Sequence, residues 1–521
     1  MTNASRLPYA HAADLPSNVQ RPRTPVGCAA WLFGRVLVAA ALIAILVIGG
    51  HGVRLFIDHA RIALEYPYTL NYGEGPLLDQ AARLQRGGAL YPLDLTQPPY
   101  TITNYPPVYV MLQAPFVATY GAAFWYGRLI ALVATAAAAV CIAGIVIVLF
   151  RDGTAGVCAG LAFISLPYVL HWSALARIDS LALAFSLGGL FVIAWKPDRW
   201  WAVAISLCLL AAAAYTRQSY LLAGPLAACG WLWGRVSPMR GVAFGVAYAA
   251  LILGIFIPLL VATEGGVFFH LITANVNLLD SRLVSYYADE LIRWLPILLI
   301  GGGAWLIAGW IGRGHAANGT ASAWWLVAPY LVGGLASALT ISKVGSDVNY
   351  LYELLAALCI AAGAWIGRMR RLPALKAALI GALALQMVWA VGLSDAKYFG
   401  LIGARIEQRR AGNEQLAAVI DRETAPILAD EHMGLLTLAG KPILLQPFEL
   451  TQLAVSGVWD ETPLLDAMAR GEYPVVLMYN PMMNPDLRME RWSPGMRRVI
   501  NQYYRVEAQA AETLVYRYWE R

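Results

Sequence analysis

The chain has 521 residues, of which 59% are hydrophobic and only 13% are charged, and its formal net charge is +6. A soluble domain carries about 25% charged residues, so this composition excludes an ordinary soluble protein. Several apolar runs of 18 or more residues instead predict an α-helical protein that crosses a bilayer many times. The net charge is small for this length, and no nucleic-acid partner is expected.

The N-terminal segment, about 1–30, is polar and precedes the first apolar run. That run is too long for the core of a signal peptide, and no small-residue cleavage site follows it. We therefore expect a cytoplasmic tail followed by a membrane anchor that is retained in the mature protein.

Eleven apolar stretches are predicted to cross the membrane. They lie at about 31–57, 122–150, 154–172, 178–195, 200–215, 219–234, 241–262, 294–312, 323–341, 351–367 and 374–395. With the tail in the cytoplasm, every inward turn is basic, from Arg151 at the first to Arg368 and Lys376 at the last, as the positive-inside rule requires. This layout predicts a multi-pass protein of the plasma or bacterial inner membrane with its C-terminus outside.

Three long segments then fall on the extracytoplasmic side, at about 58–121, 263–293 and 396–521. The last has ordinary charge density. Its β-like runs lie at 425–429, 442–447, 473–479 and 513–519, and its helix-like stretches lie at 405–421 and 461–470. Strands that alternate with helices predict a small extracytoplasmic α/β domain after a transmembrane domain at 31–395.

Charged residues flank the outer ends of several spans. They are Glu74, Asp79, Arg177, Asp179, Arg217, Arg282, Lys343 and Asp347. Charges near the membrane are costly and tend to mark function. Because these residues come from separate hairpins but share one depth, we predict an active site at the outer membrane face.

Glu74 is the favoured catalytic carboxylate. It lies between two glycines, which permit close approach of a ligand, and Pro76 can start a helix directly after it. The alternative is that Glu74 only caps that helix. Asp79 is either a second acid of the site or a solvated helix charge.

Arg177 and Asp179 open the fourth span. Asp179 is explained equally well by a local ion pair, but a cation at a helix start opposes the helix dipole, so Arg177 is expected to have an anionic partner. Arg217 and Lys343 either extend to the interface or bind phosphate.

Two further predictions concern the late outer segments. Asn349 and Tyr350 can add hydrogen bonds to a sugar, whereas surface placement is favoured for Arg282. Asp430, Glu431 and His432 form a tight cluster, but metal binding needs more ligands, and the cluster is interpreted as a strand-end turn. No metal ligand set and no cofactor are predicted, and a divalent metal is compatible with the sequence but not indicated by it.

Several short motifs occur in a fixed order along residues 31–395. They are Gly73-Glu74-Gly75, Gly88-Ala89-Leu90-Tyr91, Tyr105-Pro106-Pro107-Val108-Tyr109, Arg151-Asp152-Gly153, Ala176-Arg177-Ile178-Asp179 and the segment from Lys343 to Tyr350. In the order of these motifs, and in the side of the membrane on which each is predicted to lie, the region resembles the glycosyltransferase C superfamily. Within it, the region is most similar to the bacterial aminoarabinose transferases and the protein mannosyltransferases. An Asp-Glu pair is frequent in the first loop of these enzymes, but here Gly73 stands in place of the Asp.

The resemblance implies transfer of a sugar from a polyprenyl-phosphate donor to a glycan, lipid or protein acceptor, in contact with membrane lipids. In this hypothesis Glu74 is the general base of an inverting displacement, and Asp179 matches the second acid of the family. Arg217, Lys343 and Arg282 hold the leaving phosphate. Tyr105 is assigned to substrate binding.

Other functional classes remain open. A secondary transporter would place its charges near the midplane and often has an internal repeat, which the sequence lacks. A polysaccharide polymerase or ligase of another membrane fold also uses outer cations, and a non-enzymatic sensor would use the outer domain to bind a partner.

Overall fold

The computed structural model describes residues 25–275, 277–311, 320–393, 400–480, 482, 490–510 and 512–519. Most of the predicted N-terminal tail and the predicted domain boundary near residue 395 lie outside these residues. The described chain forms a large helical part, followed by a smaller part that contains a β-sheet.

The helical part begins with a single long helix and contains two helices in the first loop. Its helices are α1 (Pro25–Glu65), α2 (Glu74–Gln85), α3 (Val108–Tyr120), α4 (Trp125–Phe150), α5 (Gly153–Ile164), α6 (Pro167–Ser173), α7 (Asp179–Trp195), α8 (Trp200–Ala214), α9 (Ala223–Arg235), α10 (Pro238–Ala262), α11 (Ser281–Trp294), α12 (Pro296–Ile311), α13 (Thr320–Leu339), α14 (Tyr352–Arg368) and α15 (Pro373–Leu393). Shorter helical segments are Gln218–Leu221, Gly266–Phe268, Phe269–Thr273, Thr340–Ser342 and Val348–Leu351.

The predicted polytopic membrane fold is confirmed. Within the described residues, six helices are long and apolar enough to cross a bilayer, and up to eight spans result if each of two bent helix pairs is one span. The eleven predicted spans all fall on helices, and several of those helices, such as α8 with 15 residues, are shorter than a standard span.

Packing between helices distant in sequence builds the bundle. Helix α1 packs against α15, α4 against α7, and α9 against α13.

At one end of α4 the chain makes a tight turn through Arg151, which has a positive φ of 51°. Asp152 then caps α5 and forms an ion pair with Lys376 at 2.6 Å. This basic turn lies at the end of α4 opposite to the end that begins at Trp125.

The C-terminal part is a mixed α/β unit, as predicted. Its elements are α16 (Gly400–Arg422), β1 (Ile427–Ala429), α17 (Gly434–Leu438), α18 (Pro447–Val455), α19 (Thr462–Ala469), β2 (Val475–Tyr479), α20 (Pro494–Tyr503), β3 (Tyr504–Ala510) and β4 (Thr513–Tyr518). The strand order is β1-β2-β4-β3. Strands β1 and β2 are parallel, whereas β4 is antiparallel to both β2 and β3.

Backbone contacts fix the C-terminal unit on the first loop. Gly75 and Gly434 touch so closely that a Cβ built on Gly75 would lie 2.7 Å from the Cα of Gly434. Tyr100 N donates to Leu444 O at 2.8 Å, and Gln446 N donates to Tyr100 O at 3.0 Å. These bonds fix the start of α18 beside the first loop. Side chains of α18 therefore line a cavity together with residues of that loop.

Candidate active site

A cavity of about 260 Å³ lies where the first loop, the ends of several membrane helices and α18 meet. Its wall is about evenly polar and apolar and comes from segments far apart in the sequence. The lining residues are Tyr72, Gly73, Pro76, Leu77, Gln80, Ile102, Asn104, Tyr105, Arg177, Arg217, Gln218, Ser219, Asn275, Asn277, Thr340, Lys343, Gly345, Tyr350, Gln446, Phe448 and Glu449. Five of the predicted site residues are among them, namely Tyr105, Arg177, Arg217, Lys343 and Tyr350.

Arg217 is held rigidly in the wall of this cavity. It follows α8 and forms a buried ion pair with Asp179 at the start of α7. The ring of Tyr350 stacks on its guanidinium group, with 4.3 Å from Cζ to the ring centroid. Since Asp179 also accepts hydrogen bonds from Trp172 at 2.6 Å and Asn349 at 3.0 Å, it orients Arg217 and does not itself line the cavity.

Arg177 is the second cation of the cavity. It donates a hydrogen bond to the Tyr105 hydroxyl at 3.1 Å and contacts the Trp172 ring, whereas its Nε is buried without a partner. The expected anionic partner is not found, because no carboxylate in the described part of the chain forms an ion pair with Arg177. Its position requires Gly73, since a Cβ there would lie 1.2 Å from the guanidinium Nη1.

Lys343 supplies a third positive charge. Its Nζ donates to Asn275 Oδ1 at 3.2 Å, and its backbone pairs with Leu279. Burial, together with the nearby charge of Arg217, lowers the pKa of Lys343 below its ordinary value. Three cations therefore line one cavity, an arrangement suited to an anion such as phosphate.

One acid faces these cations. Glu449, in the first turn of α18, is the single carboxylate among the described lining residues of the cavity. It accepts hydrogen bonds from the Tyr72 hydroxyl at 2.9 Å and from Asn104 Nδ2 at 3.2 Å. Burial raises the pKa of Glu449 above its ordinary value.

Glu74 has a different environment from the one predicted. Its side chain is 0% exposed and forms a two-bond ion pair with Arg128 of α4, both bonds being 2.9 Å long. The backbone N–H groups of Leu70 and Ala176 donate to the same carboxylate, each at 2.7 Å. Both oxygens are thus occupied and do not line the cavity, so this geometry does not fit the predicted role of general base.

Three other predicted site residues also lie away from the cavity wall. Asp79 forms an ion pair with Arg83 of its own helix at 3.0 Å. Arg282 is 90% exposed and bonds only Asp280 among the described residues. Asn349 is buried behind Arg217 and bonds Asp179, so it supports the site and does not reach a sugar in the cavity.

An apolar groove of about 620 Å³ lies between α3, α8 and α10. Its lining residues are Pro107, Val108, Met111, Cys208, Ala211, Ala212, Tyr215, Leu251, Ile255, Pro258, Leu259 and Ala262. Tyr215 lines the groove, and Arg217, two residues later, lines the polar cavity. The same chain segment therefore joins an apolar groove to a cationic pocket.

A separate cavity of about 470 Å³ lies between the first loop and the C-terminal unit. Arg409, Glu431 and His432 are among its lining residues. Asp430 follows β1 directly and accepts bonds from the backbone of Glu431 and Tyr479, which agrees with its interpretation as a strand-end turn.

Sequence reasoning did not identify Arg128, Tyr72 or Glu449. Arg128 lies inside an apolar span, and a charged residue at such a position indicates a buried partner or a functional role. Glu449 lies in the C-terminal segment in an ordinary amphipathic context, and its contact with Tyr72 spans 377 positions. No local pattern in the sequence reveals such a contact.

Comparison with solved structures identifies the fold. ArnT from Cupriavidus metallidurans, solved bound to undecaprenyl phosphate, matches with a TM-score of 0.54 and 15% identity over 93% of this chain and 97% of that one. The Archaeoglobus fulgidus oligosaccharyltransferase AglB, solved with an inhibitory peptide and a dolichol-phosphate, matches with a TM-score of 0.53 and 11% identity. That match covers 89% of this chain and 74% of AglB. Both matches show that the chain shares the fold of these two proteins, so the predicted resemblance is confirmed at the level of the fold alone. No protein-family model and no curated protein matches the sequence.

Proposed function

We propose that this protein is a membrane glycosyltransferase that takes a sugar from a polyprenyl-phosphate donor. The observation that carries the proposal is the convergence of Arg177, Arg217 and Lys343 on one cavity that adjoins an apolar groove. ArnT and AglB share the fold, and both were solved with a polyprenyl or dolichyl phosphate.

The three cations suit the phosphate of the donor. When the bond between the sugar and the phosphate breaks, negative charge grows on the phosphate oxygens, and fixed cations stabilise it without reorganisation. Arg217 offers a planar fork whose orientation is set by Asp179, and Lys343 offers a point charge. Arg177 has no carboxylate partner among the described residues, so its charge is free to meet the ligand.

The groove between α3, α8 and α10 suits the isoprenoid tail. The tail of a bilayer-embedded donor is already in an apolar medium, so the groove positions the tail by van der Waals packing and adds no hydrophobic transfer energy. A tail in this groove, passing Tyr215, would place its phosphate near Arg217, because both residues belong to the same short segment after α8.

The charge pattern supports an extracytoplasmic location for the site. The start of α4 carries Arg128, which contacts the first loop. The basic turn, with Arg151 and Lys376, lies at the other end of α4. Under the positive-inside rule the basic turn faces the cytoplasm, so the cavity faces the other side of the membrane. The acceptor, whether a glycan, a lipid or a protein, would enter from that side.

The test is a transfer assay with purified protein. A radiolabelled polyprenyl-phosphate sugar is incubated with the enzyme and a membrane extract as the source of acceptors. Wild type is expected to move the label to an acceptor, and Arg217→Gln is expected not to, whereas the exposed control Arg282→Gln should behave as wild type. Label that stays on the lipid, or crosses the bilayer of a vesicle without cleavage, would contradict the proposal and favour a transporter.

A further inference from the structure

Glu449 is the only acid on the described wall of the cavity, and it comes from the C-terminal unit rather than from the first loop. The cations Arg177, Arg217 and Lys343 line the same cavity. The backbone hydrogen bonds of Tyr100 with Leu444 and Gln446 fix the start of α18. The side-chain oxygen Oε1 of Gln446 also accepts a hydrogen bond from Ile102 N at 2.6 Å. Glu449 is therefore held in place by the fold.

The hydrogen bonds of Glu449 leave its oxygens free to accept a proton. An ionised carboxylate has about four acceptor sites. The Tyr72 hydroxyl occupies one site on Oε2, and Asn104 Nδ2 occupies one site on Oε1. Glu74, by contrast, receives two hydrogen bonds on each oxygen and is enclosed by Arg128. Of the two acids, only Glu449 has both access to the cavity and unused acceptor capacity.

The charges around Glu449 tune its proton affinity in opposite directions. Burial raises the pKa of Glu449, and this is the largest effect. Arg491 and Arg177 act against it by attracting the ionised form, as does the hydrogen bond from Tyr72. Arg491 reaches the site by stacking on the Tyr72 ring at 4.4 Å, and its own ion-pair partner is Glu431. A carboxylate with a raised pKa is a stronger base toward an attacking hydroxyl.

Resting on the proposed function, we propose that Glu449 is the general base of the transfer and that the acceptor is an alcohol. An acceptor that is already anionic, such as a phosphate, has no proton to lose as it attacks and therefore needs no base. A hydroxyl group, on the other hand, must lose its proton as it attacks, and Glu449 is the one described group on the cavity wall that is placed to take it.

The acceptor oxygen forms a bond with the anomeric carbon while its proton passes to a carboxylate oxygen of Glu449. The bond between that carbon and the donor phosphate breaks, and its electron pair stays on the phosphate oxygen, where Arg217 and Lys343 stabilise the charge. Attack from the face opposite the phosphate inverts the configuration at the anomeric carbon.

The experiment separates donor binding from transfer. Undecaprenyl phosphate binding and label transfer are measured for wild type, Glu449→Gln and Arg217→Gln. We expect Glu449→Gln to bind the lipid phosphate as wild type does but to lose about 10² to 10⁴-fold in transfer, the usual contribution of a general base. Arg217→Gln should lose both. Transfer by Glu449→Gln within threefold of wild type would overturn the role of Glu449 and leave the proposed function intact.

Two further readouts exclude a merely structural role. Transfer by wild type should fall as the pH drops through the raised pKa of Glu449, and Glu449→Asp should move this acid limb. If Glu449→Gln fails to fold, added formate should restore transfer to Glu449→Ala, and absence of rescue with folded protein would count against the proposal. The product should resist mild acid, as a glycoside does. An acid-labile glycosyl phosphate would exclude an alcohol acceptor.

Discussion

Two buried acid–arginine pairs lie close to the cavity, and they differ in what surrounds the arginine. In the pair between Glu74 and Arg128, the guanidinium also donates to three backbone carbonyl oxygens, those of Ala63, Tyr66 and Tyr68. In the pair between Asp179 and Arg217, the guanidinium lies in the cavity wall.

The difference separates a structural pair from one prepared for a ligand. Every donor of the first pair is directed at the protein itself, so the pair ties α1, the first loop and α4 together. In the second pair, Asp179 lies behind Arg217 as seen from the cavity and fixes the orientation of its guanidinium group, which faces the cavity. Burial and charge alone therefore do not identify a catalytic acid, because the partners of the pair decide its role.

The largest expected effect is on stability, at the first pair. Arg128→Met leaves the Glu74 carboxylate buried without its partner, which typically costs about 3–5 kcal/mol. The thermal unfolding temperature of the purified protein should fall sharply. The double variant Glu74→Leu with Arg128→Met should recover only part of the loss, because the backbone groups that the pair satisfies stay without partners. A single variant as stable as wild type would contradict a structural role for this pair.

The second effect concerns activity, at the arginine of the other pair. Arg217→Gln removes a cation from the leaving phosphate and should lower transfer by about 10² to 10³-fold. The variant should also lose stability, because Asp179 stays buried without its cation, although it keeps its bonds from Trp172 and Asn349. Transfer rates per folded molecule, with Arg282→Gln as the matched exposed control, check this prediction. Equal losses in the two variants would show that surface charge alone matters.

A smaller effect is expected for the acid that orients Arg217. Asp179→Asn keeps the shape of the side chain but removes its charge, and the resulting misplacement of Arg217 should lower transfer by up to about 10²-fold. The loss should fall mainly on kcat, since the arginine still binds the ground-state phosphate but is less well aligned with the charge that develops. Steady-state kinetics measure it, and a change confined to KM would argue against an orienting role.

The smallest effect is a pH dependence at Lys343. Its pKa is lowered by burial and by Arg217, and only the protonated form attracts phosphate. Affinity for undecaprenyl phosphate should therefore weaken as the pH rises through this lowered pKa, before an ordinary lysine would lose its proton. In Lys343→Arg the affinity should persist to higher pH, because arginine stays charged. Identical pH profiles would exclude contact between Lys343 and the phosphate.

The membrane part was predictable because its signals are local. Apolar runs gave the spans, and Arg177, Arg217 and Lys343 could be placed together because each follows or precedes a span on the same side. Strands β1, β2 and β4 also agree with predicted β-like runs. The run at 442–447 forms only a bridge between Leu445 and Tyr100, and β3 was missed because its central residues, such as Arg505 and Glu507, are exposed and polar.

The role of Glu74 was not predictable from its motif. Two glycines and a proline around an acid are equally compatible with an open catalytic group and with a buried ion pair. The choice depends on Arg128, 54 positions later, and on the backbone of Ala176, 102 positions later. The fold instead places Glu449 in the cavity, through contacts between the first loop and α18 that no short pattern encodes.

The most direct test is a structure of the protein with undecaprenyl phosphate bound. We expect the phosphate within hydrogen-bond distance of Arg217 and Lys343, and the tail along the groove that contains Met111 and Ile255. A phosphate bound elsewhere, for example beside Arg409 in the separate cavity of about 470 Å³, would contradict this expectation.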